Sequence, residues 1–298
     1  MLYRRTFLAA ALLLAAAPAM AQEKLSVVAT FSILGDFVKN VGGERVMLTT
    51  LVGPNGDAHV YAPSPADARK LFEAKLVIVN GLRYEGWIDR LVKASGTKAA
   101  LAVASKGVKA RETKDAHGHA DAHALDPHAW QSVANAKTYV VNIRDALTLA
   151  DPAGKDIYAK NAADYLRKLD ALEAEIKAAV AAIPAARRKI ITTHDAFGYF
   201  RLAYGIEFIT PQGVSTDAEA SAQDVARIIR QIKAQKIPAV FLENVSDPRL
   251  IKRIADETGA RIGGTLFSDA LSDDKGPAPT YIDMMRHNVK QLAAALTS

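Results

Sequence analysis

The chain has 298 residues, half of them hydrophobic, and a formal net charge of +6, so it can bury a core large enough for one big domain or two. Its basic residues are dispersed and no basic run is interleaved with aromatic side chains, which argues against a nucleic-acid-binding protein. The sequence contains no cysteine, so we expect no disulfide, no thiolate metal ligand and no lipid-modified cysteine.

The first 21 residues have the pattern of a secretory signal peptide. Arg4 and Arg5 precede an apolar run over residues 7–17 that is short for a membrane span, and Ala19 and Ala21 occupy positions −3 and −1 of a cleavage site. We expect cleavage after Ala21 and a periplasmic protein without a lipid anchor. An uncleaved membrane anchor is the alternative, and the paired arginines leave the general and the twin-arginine export routes both open.

Short β-rich runs alternate with helical runs from residue 25 onward, a pattern typical of a parallel sheet covered by helices on both faces. Strands are predicted at 25–29, 46–52, 76–80 and 100–103, and helices at 33–41, 64–72, 85–94 and 132–149.

The stretch 106–125 lacks this periodicity and contains His117, His119 and His123 among small and polar residues. We therefore expect a flexible loop here. Its three imidazoles would bind a cation only weakly without fixed geometry, and a polar loop with no binding role is the alternative.

One long helix is predicted over 151–184, between two halves of similar size. Asp151 and Pro152 suit a helix start and Pro184 ends the run. Its apolar residues recur on one face: Ile157, Tyr165, Leu169, Leu172, Ile176, Val180 and Ile183. Such a helix would be roughly 48 Å long and could connect two lobes, although a long helix within a single α/β domain fits the same pattern.

The second half repeats the α/β alternation of the first. Strands are predicted at 189–193, 206–210, 239–242 and 261–263, and helices at 197–204, 224–235, 248–258 and 281–296. The predicted organisation is a signal peptide at 1–21, an N-terminal α/β lobe at 22–150, a linking helix at 151–184 and a C-terminal α/β lobe at 185–298.

Four candidate metal ligands lie at or near strand-to-helix loops, two in each half: His59, His128, His194 and Asp269. Ligands of parallel sheets bind beyond the carboxyl ends of the strands, where such loops meet. Three imidazoles and one carboxylate complete the four-coordinate shell that Zn²⁺ accepts. The spacing is too wide for a local motif. Taken singly, His59 is better explained as a surface-loop histidine and Asp269 as a helix cap or a solvated loop acid.

Five segments make the chain resemble the substrate-binding proteins of bacterial zinc and manganese ABC importers, the ZnuA/TroA-like group of cluster A-I. They are GPNGDAH at 53–59, DPHAW at 126–130, THDAFGYF at 193–200, FSDAL at 267–271 and TYIDMMRHN at 280–288. The resemblance covers nearly the whole mature chain. It implies two α/β lobes joined by one long helix, with His59, His128, His194 and Asp269 as the metal ligands. The histidine-containing stretch 106–125 resembles the loop of zinc-preferring members.

The resemblance implies a protein that is not an enzyme, binds an ion in the periplasm and delivers it to an ABC permease in the inner membrane. Manganese-preferring relatives commonly have a carboxylate where His194 stands. Because imidazole in place of oxygen favours Zn²⁺, we expect Zn²⁺ as the cargo, with Mn²⁺ as the alternative. We also expect a monomer, and the sequence leaves open whether a periplasmic metallochaperone loads it.

The alternative from another class is a zinc hydrolase, which holds zinc with three side chains and keeps water in the fourth position. Asp269 in that fourth position argues against it. Four acidic neighbours of the candidate ligands, Asp57, Asp126, Asp195 and Glu243, are predicted to orient the imidazole rings through their second nitrogens. Each is equally explained as a helix cap or a surface acid.

Overall fold

The computed structural model describes residues 23–113 and 124–297. The predicted signal peptide and the loop histidines His117, His119 and His123 lie outside these residues. Among the helices of the described part, none combines the length and the apolar character that a membrane span requires.

The first half contains a parallel four-stranded sheet. Its strands are β1 (Leu25–Phe31), β2 (Val46–Val52), β3 (Leu76–Val79) and β4 (Ala100–Val103), in the order β2-β1-β3-β4. Its helices are α1 (Ser32–Gly42), α2 (Pro65–Glu73), α3 (Ile88–Ser95) and α4 (Val133–Ala150). β1 and β3 are apolar along almost their whole length and buried, as expected for central strands of a sheet with both faces covered.

A short antiparallel ribbon corrects the prediction that the whole stretch 106–125 is an irregular loop. β5 (Arg111–Thr113) pairs with β6 (Ala124–Asp126), and Arg111 lies opposite Asp126. Three-residue strands with mixed polarity carry no periodic signal in the sequence. They form here partly because the Tyr199 hydroxyl accepts from the Arg111 amide and donates to the Asp126 carbonyl.

The long helix α5 runs from Lys155 to Ala181, which is 27 residues or about 40 Å. It is shorter than the predicted 151–184 at both ends. Residues Pro152–Gly154 form a 3₁₀ helix instead. The side chain of Asp151 does not cap this 3₁₀ helix. Its carboxylate instead accepts hydrogen bonds from Arg45 (Nη2–Oδ2 2.7 Å) and from the Tyr158 hydroxyl (2.6 Å).

The buried face of α5 agrees with the predicted stripe except at its start. Leu169, Leu172 and Ile176 are buried, whereas Ile157 is 44% exposed and Tyr158 is buried in its place. The three-to-four-residue spacing of the buried face, continued backward, reaches Tyr158 and not Ile157. The buried face of α5 packs against α1 and α4 and, in the second half, against the C-terminal helix of the chain.

The second half contains another parallel four-stranded sheet. Its strands are β7 (Lys189–Ile191), β8 (Glu207–Ile209), β9 (Ala239–Glu243) and β10 (Arg261–Leu266), in the order β10-β9-β7-β8. Its helices are α6 (Gly198–Tyr204), α7 (Ala222–Gln235), α8 (Pro248–Thr258) and α9 (Tyr281–Thr297). The architecture of two parallel sheets flanked by helices, with a long helix between them in the chain, agrees with the predicted fold class.

β10 continues beyond the predicted end at residue 263. The pairing of β10 with β9 shifts register between Ile262 and Thr265, and Gly264 adopts a φ of +131° that only glycine adopts readily. The two glycines therefore make a β-bulge inside the strand instead of ending it. This extension carries the chain to the loop that contains Asp269.

The hydrophobic core runs through both halves without interruption. It includes β1 and β3, the buried faces of α4, α5 and α9, and aromatic residues of the second half such as Phe197, Phe200 and Phe241. A second, smaller core lies between the second sheet and helices α7 and α8, with Ile228, Val240 and Ile254 among its members. The two halves are thus packed together over a broad surface, not only tied by α5.

The register of α5 can be tested with two aliphatic residues of the same helix. Leu169→Ala is expected to lower the free energy of unfolding by about 2–5 kcal/mol, because it leaves a cavity in the shared core. Ile157→Ala is the matched control and is expected to cost less than about 1 kcal/mol, because that side chain is largely exposed. Chemical denaturation of the metal-free protein measures both. Equal losses would contradict the observed face.

Candidate metal centre

The four predicted ligands come from four different loops. His59 lies in the loop after β2, and His128 follows β6 at the start of a 3₁₀ helix, Ala129–Gln131. His194 follows β7, and Asp269 follows β10. The structure brings one ligand atom from each to within 4.8 Å of the others. His128, His194 and Asp269 are fully buried, and the side chain of His59 is only 5% exposed.

The separations between these atoms are short. His59 Nε2 lies 3.2 Å from His128 Nε2 and 3.4 Å from an Asp269 oxygen, while His128 Nε2 and His194 Nε2 lie 3.4 and 3.1 Å from Asp269 oxygens. Zinc–ligand bonds of about 2.0–2.1 Å in a tetrahedron place neighbouring ligand atoms about 3.3–3.4 Å apart. These four separations are close to those of a four-coordinate metal shell, within a cluster whose ligand atoms all lie within 4.8 Å of one another.

Two buried carboxylates lie beside the Nδ1 atoms of His128 and His194, so these two rings direct Nε2 toward the centre. Asp126 Oδ1 lies 2.8 Å from His128 Nδ1, and Glu243 Oε2 lies 2.6 Å from His194 Nδ1. The hydrogen bond to Asp126 keeps the proton of His128 on Nδ1 and leaves its Nε2 lone pair directed at the shared point. The contact of Glu243 with His194 is a close charge contact that lacks hydrogen-bond geometry. These two contacts are those predicted from the sequence.

Asp57 and Asp195 were also predicted to orient imidazole rings, but the structure gives each of them other partners. Asp57 accepts from the His59 backbone amide (2.9 Å) and from the Thr216 hydroxyl (2.6 Å). Asp195 pairs with Arg111, with Nη2 and Oδ2 3.2 Å apart. Asp57 bonds to the amide two residues ahead, as aspartates in turns commonly do.

The sequence did not identify two residues beside the centre. Tyr84 packs edge-on against His59 (ring centroids 4.7 Å apart) and against Trp130 (5.0 Å), which forms an aromatic wall next to His128. Arg111 lies in a stretch that was predicted to be irregular. Neither residue sits in a pattern that marks it in the sequence, because each reaches the centre only through tertiary packing.

The carboxylates of the site favour the protonated form of two of the histidines. Burial lowers the pKa of His128, but Asp269 and Asp126 outweigh burial and raise that pKa to about 9. Burial likewise lowers the pKa of His194, and Glu243 and Asp269 raise it well above its usual value. Burial raises the pKa of Asp269, but His128 and His194 hold it well below its usual range. Only for His59 does burial prevail and lower the pKa.

The ZnuA family, described as the periplasmic component A of a zinc-uptake complex, matches residues 27–295. The chain belongs to the ZnuA family. Its curated relatives include the manganese-binding lipoprotein MntA of Halalkalibacterium halodurans, 35% identical over 92% of this chain and 89% of MntA. The iron-binding protein YfeA of Yersinia pestis is 33% identical over 93% of this chain and 88% of YfeA.

Solved structures give the same result. The periplasmic zinc-binding protein TroA of Treponema pallidum is 32% identical and superposes with a TM-score of 0.83, over 92% of this chain and 99% of TroA. Membership of the ZnuA family makes this chain the metal-ion-binding component of an ABC transporter and excludes the zinc hydrolase. The names of the relatives divide among manganese, iron and zinc.

The protons on the buried histidines predict a pH dependence. A metal ion needs neutral imidazole, and because the pKa of His128 is about 9, this ring is protonated at pH 7 and deprotonates only as the pH rises through about 9. Metal binding at pH 7 is therefore expected to release at least one proton, and the apparent affinity is expected to keep rising from pH 7 to about 9.

Calorimetric titration with Zn²⁺ in buffers of different ionisation enthalpy measures this proton release. Asp126→Asn is the control, because loss of one of the carboxylates that raise the pKa of His128 should reduce the number of protons released at pH 7. Identical heats in all buffers for the unaltered protein would contradict the prediction.

Proposed function

We propose that His59, His128, His194 and Asp269 bind one Zn²⁺ ion, which the protein carries as cargo to an ABC permease of the inner membrane. The supporting observation is that three Nε2 atoms and a carboxylate converge in a buried centre, with separations close to those of a four-coordinate shell. We include a permease as the partner because family members are the binding components of ABC transporters.

The donor set favours zinc. Three of the four donors are imidazole nitrogens, which suit Zn²⁺, whereas Mn²⁺ prefers oxygen donors and lies at the weak end of the affinity order of divalent metals. Asp126 and Glu243 strengthen this preference, since a carboxylate beside Nδ1 makes the imidazole a better donor. Mn²⁺ is the second candidate, because MntA is named as a manganese-binding protein.

The charges around the centre suit a divalent cargo. Three fully or almost fully buried carboxylates, Asp126, Glu243 and Asp269, lie on or behind the ligand atoms. Buried charge is tolerated only when it is compensated. In the metal-free protein the compensation comes from protonated histidines, and in the loaded protein the ion supplies it. Exchange of protons for the ion keeps the centre balanced in both states.

The location and assembly that we propose follow from the sequence and from the ligand set. Residues 1–21 direct export and are removed after Ala21, which leaves a periplasmic protein. MntA is named a lipoprotein, but this chain has no cysteine to carry a lipid, so we propose a carrier free in the periplasm. All four ligands come from one chain, and a monomer is therefore sufficient.

A competition titration tests the choice of metal. The metal-free protein is titrated with Zn²⁺ and Mn²⁺ against chelators of known affinity, and we expect Zn²⁺ to bind more tightly. His194→Glu replaces one nitrogen donor by oxygen and should lower the ratio of Zn²⁺ to Mn²⁺ affinity by at least about tenfold. A preference for Mn²⁺ in the unaltered protein would overturn the zinc assignment, and unchanged binding in both His128→Ala and His194→Ala would overturn the ligand set.

The proposed role of the loop histidines is weak collection of ions for the buried centre. Deletion of residues 117–123 should slow capture of Zn²⁺ from dilute solution in stopped-flow measurements and leave the equilibrium affinity of the centre unchanged. Replacement of His117, His119 and His123 by serine is the control that keeps the length of the loop, and it should have the same effect. Loss of tight binding in either variant would show that the tight site includes the loop and that we have assigned the centre to the wrong part of the chain.

A further inference from the structure

Asp269 belongs to the second half of the sequence, but the loop that carries it is also bonded to the first half of the structure. The Ser268 carbonyl accepts from Trp130 Nε1 (2.9 Å) and Gln131 Nε2 (2.7 Å). The Leu271 amide donates to the Ser32 hydroxyl (3.0 Å), and its carbonyl accepts from a backbone amide of the loop that precedes His59 (2.8 Å). The loop that carries Asp269 is therefore bonded to the structural unit of His59 and His128, and it is bonded to the second half as well, where Asn244 directly after β9 donates to the Ala270 carbonyl (3.2 Å).

His194, in contrast, is anchored within the second sheet. The backbone amides of Thr193 and His194 both donate to Glu243 Oε1, at 2.6 and 3.0 Å, and Glu243 is the last residue of β9. The other oxygen of Glu243 lies beside His194 Nδ1. His194 is therefore positioned by the second sheet, whereas the loop of Asp269 is also bonded to the first half. His194 is thus the ligand whose position depends most on how the second sheet sits against the first half.

Arg111 joins the two groups of ligands. Its Nη1 lies 3.0 Å from Asp126 Oδ2, and Asp126 holds His128 through its other oxygen. Its Nη2 lies 3.2 Å from Asp195 Oδ2, and Asp195 directly follows His194. A chain of charged contacts thus runs from His128 through Asp126, Arg111 and Asp195 to the backbone of His194.

The surroundings of the guanidinium are shaped to hold it. Gly198 opens α6 at this point, and a β-carbon there would overlap the guanidinium of Arg111. The Tyr199 hydroxyl accepts from the Arg111 backbone amide. The Arg111 side chain is only 20% exposed, and the carboxyl group of Asp126 is fully buried. A planar fork that reaches two carboxylates at once suits arginine and not lysine.

We infer that Arg111 is a positioning residue for ion retention: by joining Asp126 to Asp195, it holds His194 against the other three ligands and slows dissociation of the bound ion. The inference rests on the ligand set proposed above. Arg111 does not touch the ion. It acts through the two carboxylates, and breaking a contact between such charged partners raises chiefly the dissociation rate.

The test compares dissociation of Zn²⁺ from four variants, measured by transfer to an excess of a chromophoric chelator. Arg111→Gln should release Zn²⁺ at least about tenfold faster than the unaltered protein. Arg111→Lys, which keeps the charge but loses the fork, should fall between them. Gly198→Ala should also accelerate release, although alanine is the better helix former and both carboxylates and the arginine remain.

Arg45→Gln is the matched control. Arg45 forms a similar half-buried pair with Asp151. It lies directly before the start of β2, whereas the His59 loop follows the other end of that strand, so Arg45 is remote from the ligands. This variant should release Zn²⁺ at the normal rate even if it is less stable to heat. Loading with Co²⁺ supplies a further measurement, because the visible spectrum should keep the intensity of a four-coordinate ion in every variant.

Two results would overturn the inference. One is a dissociation rate for Arg111→Gln and Gly198→Ala within about twofold of the unaltered protein. The other is an equally faster dissociation of Zn²⁺ from Arg45→Gln, which would show that the effect of the Arg111 substitution comes from a general loss of stability. Failure of the ligand set itself is distinguished by His128→Ala, which should abolish tight binding whatever the result for Arg111.

Discussion

The centre depends on one electrostatic constraint, the burial of the Asp269 carboxylate among three imidazoles. A carboxylate placed at this depth is costly unless positive charge lies beside it. Protons on His128 and His194 supply that charge in the metal-free protein, and a divalent ion supplies it in the loaded protein. The same constraint explains the carboxylates behind the rings, since Asp126 holds a proton on Nδ1 of His128 and Glu243 places negative charge against Nδ1 of His194.

The packing of the two halves sets how the centre can open. The core continues from the first sheet across α5 and α9 into the second half, so a wide separation of the halves would expose much apolar surface. Small displacements are far less costly. Because the Asp269 loop is bonded to the first half and His194 is held by the second sheet, a small shift of that sheet would displace His194 more than the other ligands.

Family membership and local chemistry answer different questions about this protein. The match to the ZnuA family over nearly the whole chain establishes a metal-binding transport component. It does not choose the ion, because relatives of similar identity are named for manganese and for iron, and a solved relative for zinc. The choice depends on the donor atoms, and our proposal of zinc rests on the three nitrogens among the four candidate donors.

The sequence by itself determined the α/β class and the long helix with most of its buried face, because hydrophobic periodicity and turn residues are local signals. The four candidate ligands were predicted from their positions near strand ends and from the resemblance of their motifs to the ZnuA/TroA-like group. Only the tertiary structure decided that Asp151 pairs with Arg45 instead of capping α5, and that the glycines of β10 form a bulge. It also revealed the ribbon of β5 and β6 and the position of Arg111 between Asp126 and Asp195. These contacts join residues far apart in the chain, and their energies depend on distances that no local pattern encodes.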